Sequence, residues 1–265
     1  MHEPKAISRL VVKFGTESLS SSMGETRELN QDIFNDFARQ IIELHSVGIE
    51  VVIVSSGAIR AGEEQMRRLN FKIGCLEKKQ IAGIGARHLM TKWGMAFERY
   101  RKEVAQIWVT FASLSHQGER ESTKSSIANY LQEGIIPVIN ENDVLSDEEI
   151  RWMEQGISEN DNLAQKVAFL IEADAVLFIT SEKGVYRENP KKNPEAEIYP
   201  EIDCGHASFS FGGGFSSDGG TGGMEAKFKA ASECARAGKK VAIAGCEDDM
   251  IIRFARDLPV GTRVR

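Results

Sequence analysis

The chain has few cysteines, few prolines and no excess of positive charge, and these shortages exclude several classes of protein. Its 265 residues include four cysteines and six prolines, and the formal net charge is −6. The cysteines lie far apart, without Cys-x-x-Cys or Cys/His spacing, so we expect free thiols in a reducing compartment and no cysteine metal site. Binding to a phosphate backbone requires a basic face, so we expect no nucleic-acid partner for an acidic chain.

Long hydrophobic runs are also missing. No apolar stretch reaches the roughly 18–20 residues needed to span a bilayer. The first nine residues contain charges and a proline but no apolar segment typical of a secretory signal. We therefore expect a cytoplasmic protein with no membrane partner. An apolar content of 42% is ordinary for a globular protein of this length.

Short apolar segments alternate with amphipathic helical patterns along most of the chain. Strands are predicted at 10–14, 51–54, 106–109, 135–139, 175–179 and 240–244. Helices are predicted at 33–48, from 57 onward, and near 79–102, 122–133, 160–172, 224–237 and 248–256. This alternation indicates a central, mostly parallel sheet covered by helices on both faces, which is an α/β sandwich. The sequence has no internal repeat and no interdomain linker, so we predict one domain.

Polar and glycine-rich segments follow several of the predicted strands. They lie at 15–16, 55–57, 140–143 and 180–181. In parallel sheets, ligands bind beyond the carboxyl ends of the strands. The sequence therefore predicts a ligand site at that edge.

The segment 212–223 has glycine at seven of twelve positions and continues into a helical pattern that carries Lys227. Glycines let backbone N–H groups approach a ligand closely, and a helix N-terminus favours an anion. The alternative is a flexible linker. Apolar segments of core character on both sides favour a phosphate site.

The common nucleotide motifs are missing. No Gly-x-x-x-x-Gly-Lys-Ser/Thr sequence is present, and the glycine pair at 83–85 falls inside a helical pattern rather than after a strand. No His/Cys/carboxylate cluster indicates a tightly bound metal. A distributed site remains, in which Lys13 stands in an apolar strand and requires an anionic partner if it is buried.

Amides and carboxylates near the same predicted edge are suited to binding an ammonium group. They are Asn142, Asp143, Asn160 and Asp161. Each alone is more typical of a turn or a helix cap than of a binding site. Together, at one edge of the sheet, they favour a site for an ammonium group.

The residues that form these patterns resemble, in order, the motifs of the glutamate 5-kinases, a family of the amino acid kinase superfamily. The matching runs are 11–16 (Val-Val-Lys-Phe-Gly-Thr), 54–59 (Val-Ser-Ser-Gly-Ala-Ile), 139–143 (Ile-Asn-Glu-Asn-Asp), 159–164 (Glu-Asn-Asp-Asn-Leu-Ala), 184–186 with 189–190, and 221–227. The resemblance extends from about residue 9 to 261. It implies the three-layer αβα sandwich of the amino acid kinase fold.

The resemblance also implies a role for each matching residue. Lys13 and Lys227 would contact the transferred phosphoryl group, the backbones of Gly15 and Gly57 would hydrogen-bond its oxygens, and Asp161 would hold the two lysines. Glutamate would be bound by Ser56, Asn142, Asp143 and Asn160. ATP would be bound by Lys13, Thr180, Ser181, Thr221, Gly222, Gly223, Met224, Glu225, Ala226 and Lys227. Residues 9–150 would form the acceptor half and residues 151–265 the ATP half.

The implied reaction is ATP-dependent phosphorylation of the γ-carboxylate of glutamate, the first step of proline biosynthesis. Carboxylate attack needs no general base, because the nucleophile is already ionised. Magnesium would bridge the β- and γ-phosphates, and no metal ligand from the protein is predicted. Homo-oligomers, dimers or tetramers, and handover of the product to glutamyl phosphate reductase are further expectations.

The chain departs from the family pattern at four positions, and we expect a short form without the C-terminal PUA domain that many members carry. Ser158 and Glu159 replace a Gly-Asp pair, Ser181 replaces an aspartate, and Glu17 adds negative charge after the first strand. Two alternatives stay open. One is a related kinase with another acceptor, such as a different acidic amino acid or a nucleoside monophosphate. The other is a non-catalytic homologue that binds amino acid or nucleotide.

Overall fold

The computed structural model describes residues 6–23, 26–72, 74–145, 159–190, 192–205 and 223–265. Its strands are β1 (Arg9–Phe14), β2 (Ser20–Met23), β3 (Thr26–Leu29), β4 (Glu50–Ser55), β5 (Val104–Val109), β6 (Ile136–Glu141), β7 (Ala175–Ile179), β8 (Glu201–Ile202), β9 (Lys240–Ala244) and β10 (Thr262–Val264). Its helices are α1 (Gln31–Ser46), α2 (Ala58–Arg68), α3 (Lys78–Glu98), α4 (Phe111–Ser115), α5 (Gln117–Gln132), α6 (Glu159–Leu170), α7 (Met224–Arg236) and α8 (Met250–Ala255), and a 3₁₀ turn covers Glu17–Leu19.

The described residues form an eight-stranded sheet in the order β5-β6-β4-β1-β7-β9-β10-β8. Strands β5, β6, β4, β1, β7 and β9 are parallel to one another, while β10 runs antiparallel to β9. The central strands are almost continuous runs of β-branched and other apolar residues, which is typical of a sheet buried on both faces. The predicted α/β sandwich with a mostly parallel sheet is confirmed.

Side chains of β1 alternate between the two layers of the core, because successive residues of a strand point to opposite faces. Leu10, Val12 and Phe14 pack in one hydrophobic cluster with α1 and α3. Val11 packs in the other cluster, with apolar residues of α6 and α7. Lys13 has the same parity as Val11, so its side chain leaves the sheet on the side of α6 and α7.

The glycine pair at 83–85 lies within α3, as the sequence predicts, and Gly85 serves helix packing. A Cβ at Gly85 would lie 1.8 Å from the carbonyl oxygen of Ala58. Only a residue without a side chain permits α2 and α3 to pack this closely. Gly85 is therefore part of the core, whereas Gly83 is exposed on α3, and the pair is not a dinucleotide site.

Several predicted boundaries were wrong. Helix α3 ends at Glu98 and not near 102, α5 begins at Gln117 and not near 122, and α8 is shorter than predicted. The first turn of α5 is wholly polar, so hydrophobic periodicity could not locate it. The β2–β3 hairpin, α4, β8 and β10 were not predicted, because their sequences are short or polar.

The predicted division near residue 150 lies outside the described residues. None of the helices in the described ranges has the length and hydrophobicity required to cross a bilayer.

Candidate functional site

The carboxyl ends of three central strands lie level with one another. Phe14, the last residue of β1, pairs in register with Ser55 of β4 and with Ile179 of β7. The loops that follow these strands therefore begin at the same edge of the sheet. Most of the candidate residues predicted from the sequence lie in these loops or in the helices beside them.

Two lysines from distant parts of the chain meet at one carboxylate. The Nζ atom of Lys13 lies 2.8 Å from Oδ1 of Asp161. The Nζ atom of Lys227 lies 2.9 Å from both carboxylate oxygens of Asp161. Asp161 belongs to the first turn of α6 and Lys227 to the first turn of α7, two helices that pack on the same face of the sheet. We call these three residues the Lys-Asp-Lys cluster.

The Lys-Asp-Lys cluster is almost completely removed from water. The exposed fractions of Lys13, Lys227 and Asp161 are 3%, 5% and 0%. Burial lowers the pKa of Lys13 to about 8; the ion pair with Asp161 raises this pKa, and the charge of Lys227 lowers it. Burial alone would raise the pKa of Asp161, but Lys13 and Lys227 hold it well below its usual range.

With both lysines protonated, the cluster carries a net positive charge. Two ammonium groups share a single carboxylate, and a buried charge is costly unless it is paired. An anionic ligand such as a phosphoryl group would complete the pairing. The cluster is thus a candidate site for a transferred phosphate.

Two helices that begin at motifs of the predicted site have no side-chain cap at their N-termini. Gly57 precedes α2 and Gly223 precedes α7, and neither helix has a side-chain hydrogen bond at its N-cap. The N–H groups of a first helical turn are free to bind an anion when no cap occupies them. Gly57 has φ +115°, a conformation that side-chain-bearing residues rarely adopt.

Gly15 lies next to the cluster. A Cβ at this position would come within 3.9 Å of Nζ of Lys13 and 3.4 Å of the carbonyl oxygen of Ile179. The Gly15 N–H donates to that carbonyl at 3.2 Å. A phosphoryl oxygen would therefore have to share this donor or replace the carbonyl.

The four predicted glutamate-binding residues are all described. Ser56 follows β4 and its N–H donates to the Phe14 carbonyl. Asn142 and the buried Asp143 follow β6. Asn160 precedes Asp161 in α6, and its buried Oδ1 atom accepts no hydrogen bond from the described residues.

The predicted ATP-binding residues are only partly described. Thr180 follows β7, and its N–H donates to the Ala244 carbonyl at 2.9 Å; Ser181 is exposed. Gly223, Met224, Glu225 and Ala226 lead into α7 beside Lys227. Thr221 and Gly222 lie outside the described residues, as does the rest of the glycine-rich segment.

The negative charge of Glu17 is balanced by two arginines that the sequence analysis did not identify. Oε1 of Glu17 lies 2.6 Å from Arg60 of α2, and Oε2 lies 3.0 Å from Arg27 of β3. The β2–β3 hairpin was not predicted, so nothing in the sequence placed Arg27 near Glu17. Ser158 lies outside the described residues, and only the backbone of Glu159 is described, as the first residue of α6.

A hydrogen bond between Trp93 and Ser55 was also missed. Nε1 of Trp93 donates to Oγ of Ser55 at 3.0 Å in a fully buried position. The sequence predicts a helix over this part of the chain, but no sequence signal indicated Trp93 or its partner. Among the described residues, no group of three or more histidine, cysteine, aspartate or glutamate side chains could hold a metal ion.

Comparison with known proteins gives consistent matches. Residues 8–245 match the amino acid kinase family. The glutamate 5-kinase of Sodalis glossinidius (strain morsitans) is 35% identical over 256 residues, which are 96% of this chain and 68% of the relative. The glutamate 5-kinase of Herpetosiphon aurantiacus is 34% identical and covers 97% of this chain and 68% of its own length. The chain therefore spans about two thirds of these relatives.

Solved structures support the same fold. The UMP kinase from Bacillus anthracis superposes with a TM-score of 0.63 and 16% identity, covering 98% of this chain and 97% of its own. An isopentenyl phosphate kinase gives a TM-score of 0.61 at 19% identity, covering 96% and 99%. At these identities the likeness concerns the fold alone. Together with the family match and the curated relatives, it establishes that this chain belongs to the amino acid kinase family, within the group formed by the glutamate 5-kinases.

Proposed function

We propose that the protein transfers the γ-phosphoryl group of ATP to the γ-carboxylate of L-glutamate, giving L-glutamyl 5-phosphate, the first step of proline biosynthesis. The observation that carries this proposal is the Lys-Asp-Lys cluster, in which Lys13 and Lys227 meet over Asp161. Relatives named glutamate 5-kinase, about one third identical over nearly the whole chain, support the choice of acceptor.

The transfer needs positioning and charge neutralisation more than proton chemistry. An oxygen of the glutamate carboxylate forms a bond to the γ-phosphorus of ATP, and the bond from that phosphorus to the bridging oxygen of ADP breaks. The carboxylate is already ionised near neutral pH, so no base is required. Lys13 and Lys227 would neutralise charge on the phosphoryl oxygens, and Asp161 would hold both ammonium groups in place.

Donors at the strand ends would complete the phosphoryl site. We propose that the Gly57 N–H at the start of α2, with the Gly15 backbone, binds oxygens of the transferred group. Fixed N–H donors in a site that excludes water stabilise developing charge without reorganising during the reaction. Residues 180–181 and 221–227 would bind the rest of the nucleotide.

The acceptor would lie on the opposite side of the phosphoryl group from ADP. Asp143 and the amide oxygens of Asn142 and Asn160 suit the glutamate ammonium group, and Ser56 suits its carboxylate. The unpartnered Oδ1 of Asn160 is consistent with this role. An acceptor with a phosphate, such as a nucleoside monophosphate, would prefer basic groups at these positions.

Magnesium would arrive with ATP, held by the β- and γ-phosphates and by water, as is usual for nucleotide-bound Mg²⁺. When bound, it would neutralise part of the phosphate charge. No step assigned to Lys13, Lys227 or Asp161 depends on a protein ligand to the ion.

We further propose one domain over residues 1–265, with an acceptor half at 9–150 and an ATP half at 151–265. A homo-oligomer, a cytoplasmic location and handover of the product to glutamyl phosphate reductase belong to the same proposal. Acyl phosphates react with water, which would favour a short path between the two enzymes.

Trapping the product with hydroxylamine tests the proposed reaction. The purified protein is incubated with ATP, Mg²⁺ and glutamate, and the hydroxamate and ADP are measured. Aspartate and uridine monophosphate serve as alternative acceptors in parallel reactions. Hydroxamate that depends on glutamate is expected. ADP formed only with another acceptor would assign a different kinase reaction.

The alternative of a binding protein without turnover depended on Glu17, Ser158 and Ser181. The ion pairs of Glu17 with Arg27 and Arg60 weaken this alternative, because they offset the charge that distinguished the chain from its relatives. Calorimetry separates the two functions. Glutamate binding without any hydroxamate in the presence of ATP and Mg²⁺ would support a binding protein.

A further inference from the structure

Two buried hydrogen bonds connect the middle of α3 to the loop after β4. Nε1 of Trp93 donates to Oγ of Ser55 at 3.0 Å. Oγ of Ser55 in turn donates to the carbonyl oxygen of Ser56 at 3.0 Å. Trp93 and Ser55 are both completely buried, so water does not compete for the bond between them, while the bond to the Ser56 carbonyl is partly buried. The result is an ordered chain of donors that ends on the backbone of the candidate site.

The carbonyl of Ser56 and the N–H of Gly57 belong to the same peptide group. A trans peptide is planar, and its C=O and N–H point in opposite directions. No cis peptide occurs among the described residues. Fixing the Ser56 carbonyl therefore fixes the direction of the Gly57 N–H.

The Gly57 N–H is the donor to which the proposed function assigns a phosphoryl oxygen. Among the described residues it has no hydrogen-bond partner within the protein. Gly57 has φ +115°, and glycine has more conformational freedom than any other residue. The peptide group between Ser56 and Gly57 therefore requires an external restraint to keep one orientation. The bond from Ser55 supplies that restraint.

The ring of Trp93 also contacts the strand that carries the first lysine. Its centroid lies 5.1 Å from that of Phe14, the residue between Lys13 and Gly15. The Phe14 carbonyl accepts the Ser56 N–H at 3.0 Å. The N–H of Ser56 is thus bonded to Phe14 and its carbonyl to Ser55, and Trp93 contacts both of these residues.

The indole N–H of a buried tryptophan usually has a hydrogen-bond partner, and a backbone carbonyl of α3 or a neighbouring strand could serve as one. Here the partner is the Ser55 hydroxyl, which in turn donates a hydrogen bond to the Ser56 carbonyl at the candidate site. We propose that Trp93 and Ser55 are positioning residues, which orient the Gly57 N–H toward the transferred phosphoryl group. This inference depends on the proposed kinase function.

The test compares Trp93→Phe and Ser55→Ala with two matched controls. Trp108→Phe removes an indole N–H that is buried without a described partner, and Ser232→Ala removes a buried hydroxyl of the same kind. Both positioning variants are expected to lower kcat by about tenfold or more, with the KM for glutamate within about twofold, because the donor acts mainly in the transition state. The controls are expected to retain kcat.

Two further variants separate positioning from loss of packing. Ser55→Thr keeps the hydroxyl and is expected to retain most of the activity. The double variant Trp93→Phe with Ser55→Ala should lower kcat no more than the worse single variant, because residues that act in one chain are non-additive. Additive losses in kcat that parallel losses in melting temperature would overturn the proposal.

A readout without turnover makes the test independent of the kinase function. The ¹⁵N order parameter of the Gly57 amide, measured by NMR on the protein without nucleotide, is expected to fall in Trp93→Phe and Ser55→Ala but not in the controls. An unchanged order parameter, or unchanged kcat in an active wild type, would refute the positioning role. A wild type that forms no hydroxamate would instead refute the proposed function.

Discussion

Lys13 and Asp161 lie 2.8 Å apart where neither side chain has more than 4% of its surface exposed. The strand β1 supplies the lysine and α6 supplies the carboxylate. Because water is excluded, burial lowers the pKa of Lys13 to about 8 even though the ion pair opposes the shift. The positive charge that the proposed reaction needs is therefore lost at a pH only slightly above neutral.

This pKa predicts an alkaline limit for the proposed activity. Below about pH 8, Lys13 is mostly protonated and can neutralise a phosphoryl oxygen; above it, the ammonium loses its proton. We expect kcat/KM for ATP, measured at saturating glutamate, to be constant on the acid side of this value and to fall about tenfold per pH unit above it. Measuring kcat/KM for ATP across the pH range tests this alkaline decrease. An activity that stays constant to pH 10 or so would show that protonated Lys13 is not required.

Replacement of Lys227 by alanine tests the second ammonium group. We expect kcat to fall by at least about 100-fold while the dissociation constant of glutamate changes less than about threefold, because a contact to the phosphoryl group acts mainly in the transition state. Calorimetry gives the affinity and the hydroxamate assay gives the rate.

Lys229→Ala is the matched control, since Lys229 is an exposed lysine two residues later on α7. It should leave both quantities unchanged. A Lys227→Ala variant with normal kcat and a raised KM for glutamate would place Lys227 in acceptor binding instead.

Asp161→Asn removes the carboxylate that both lysines share. Two buried ammonium groups would then repel each other without a counter-ion, so we expect the free energy of unfolding to fall by about 3–5 kcal/mol near neutral pH. Loss of Asp161 also removes an interaction that raises the pKa of Lys13. The alkaline limb of any residual activity should therefore move to lower pH.

Urea unfolding measures this loss against Asp36→Asn. Asp36 also pairs with an arginine, Arg39, at 2.8 Å, but both side chains are more than 40% exposed. Exposed pairs contribute about 0–1 kcal/mol, so the control should change stability little. Equal losses in the two variants would mean that the buried cluster does not depend on Asp161 for its stability.

The sequence predicted the sheet because its central strands are encoded locally. The segments at 175–179 and 240–244 are short apolar runs between polar turns, and their observed bounds are those that were predicted. The β2–β3 hairpin was missed because residues 20–29 are mostly polar and the hairpin lies outside the main sheet. Hydrophobic periodicity reports burial and cannot detect a strand with little of it.

The site was predictable only as a set of chain positions. Lys13 attracted attention as a charge in an apolar strand, but nothing in its neighbourhood identified Asp161 as its partner; that pairing came from the family resemblance. The contacts of Glu17 with Arg60 and of Trp93 with Ser55 were not predicted at all, because each joins elements whose approach is decided by tertiary packing. Contacts of this kind leave no periodic pattern in the sequence, so hydrophobic periodicity cannot predict them.

The ion pairs of Glu17 lead to a last prediction, which concerns its effect on the neighbouring phosphate site. Its carboxylate is already balanced by Arg60 at 2.6 Å and Arg27 at 3.0 Å. We expect Glu17→Gln to change kcat/KM for ATP by less than about threefold at physiological ionic strength, because the two arginines already offset its charge and the Debye length is about 8 Å. Stability should fall by about 1 kcal/mol, because the pairs are only partly buried.

The double variant Glu17→Gln with Arg60→Gln is the matched control, since it removes one charge of each sign. If the charges act only through their mutual pairing, the single and double variants should have similar kcat/KM. A rise of about tenfold or more in Glu17→Gln alone, reversed in the double variant, would mean that Glu17 repels ATP in the native protein. In that case Glu17 would weaken nucleotide binding relative to family members without this charge, and Arg60 would only partly offset it.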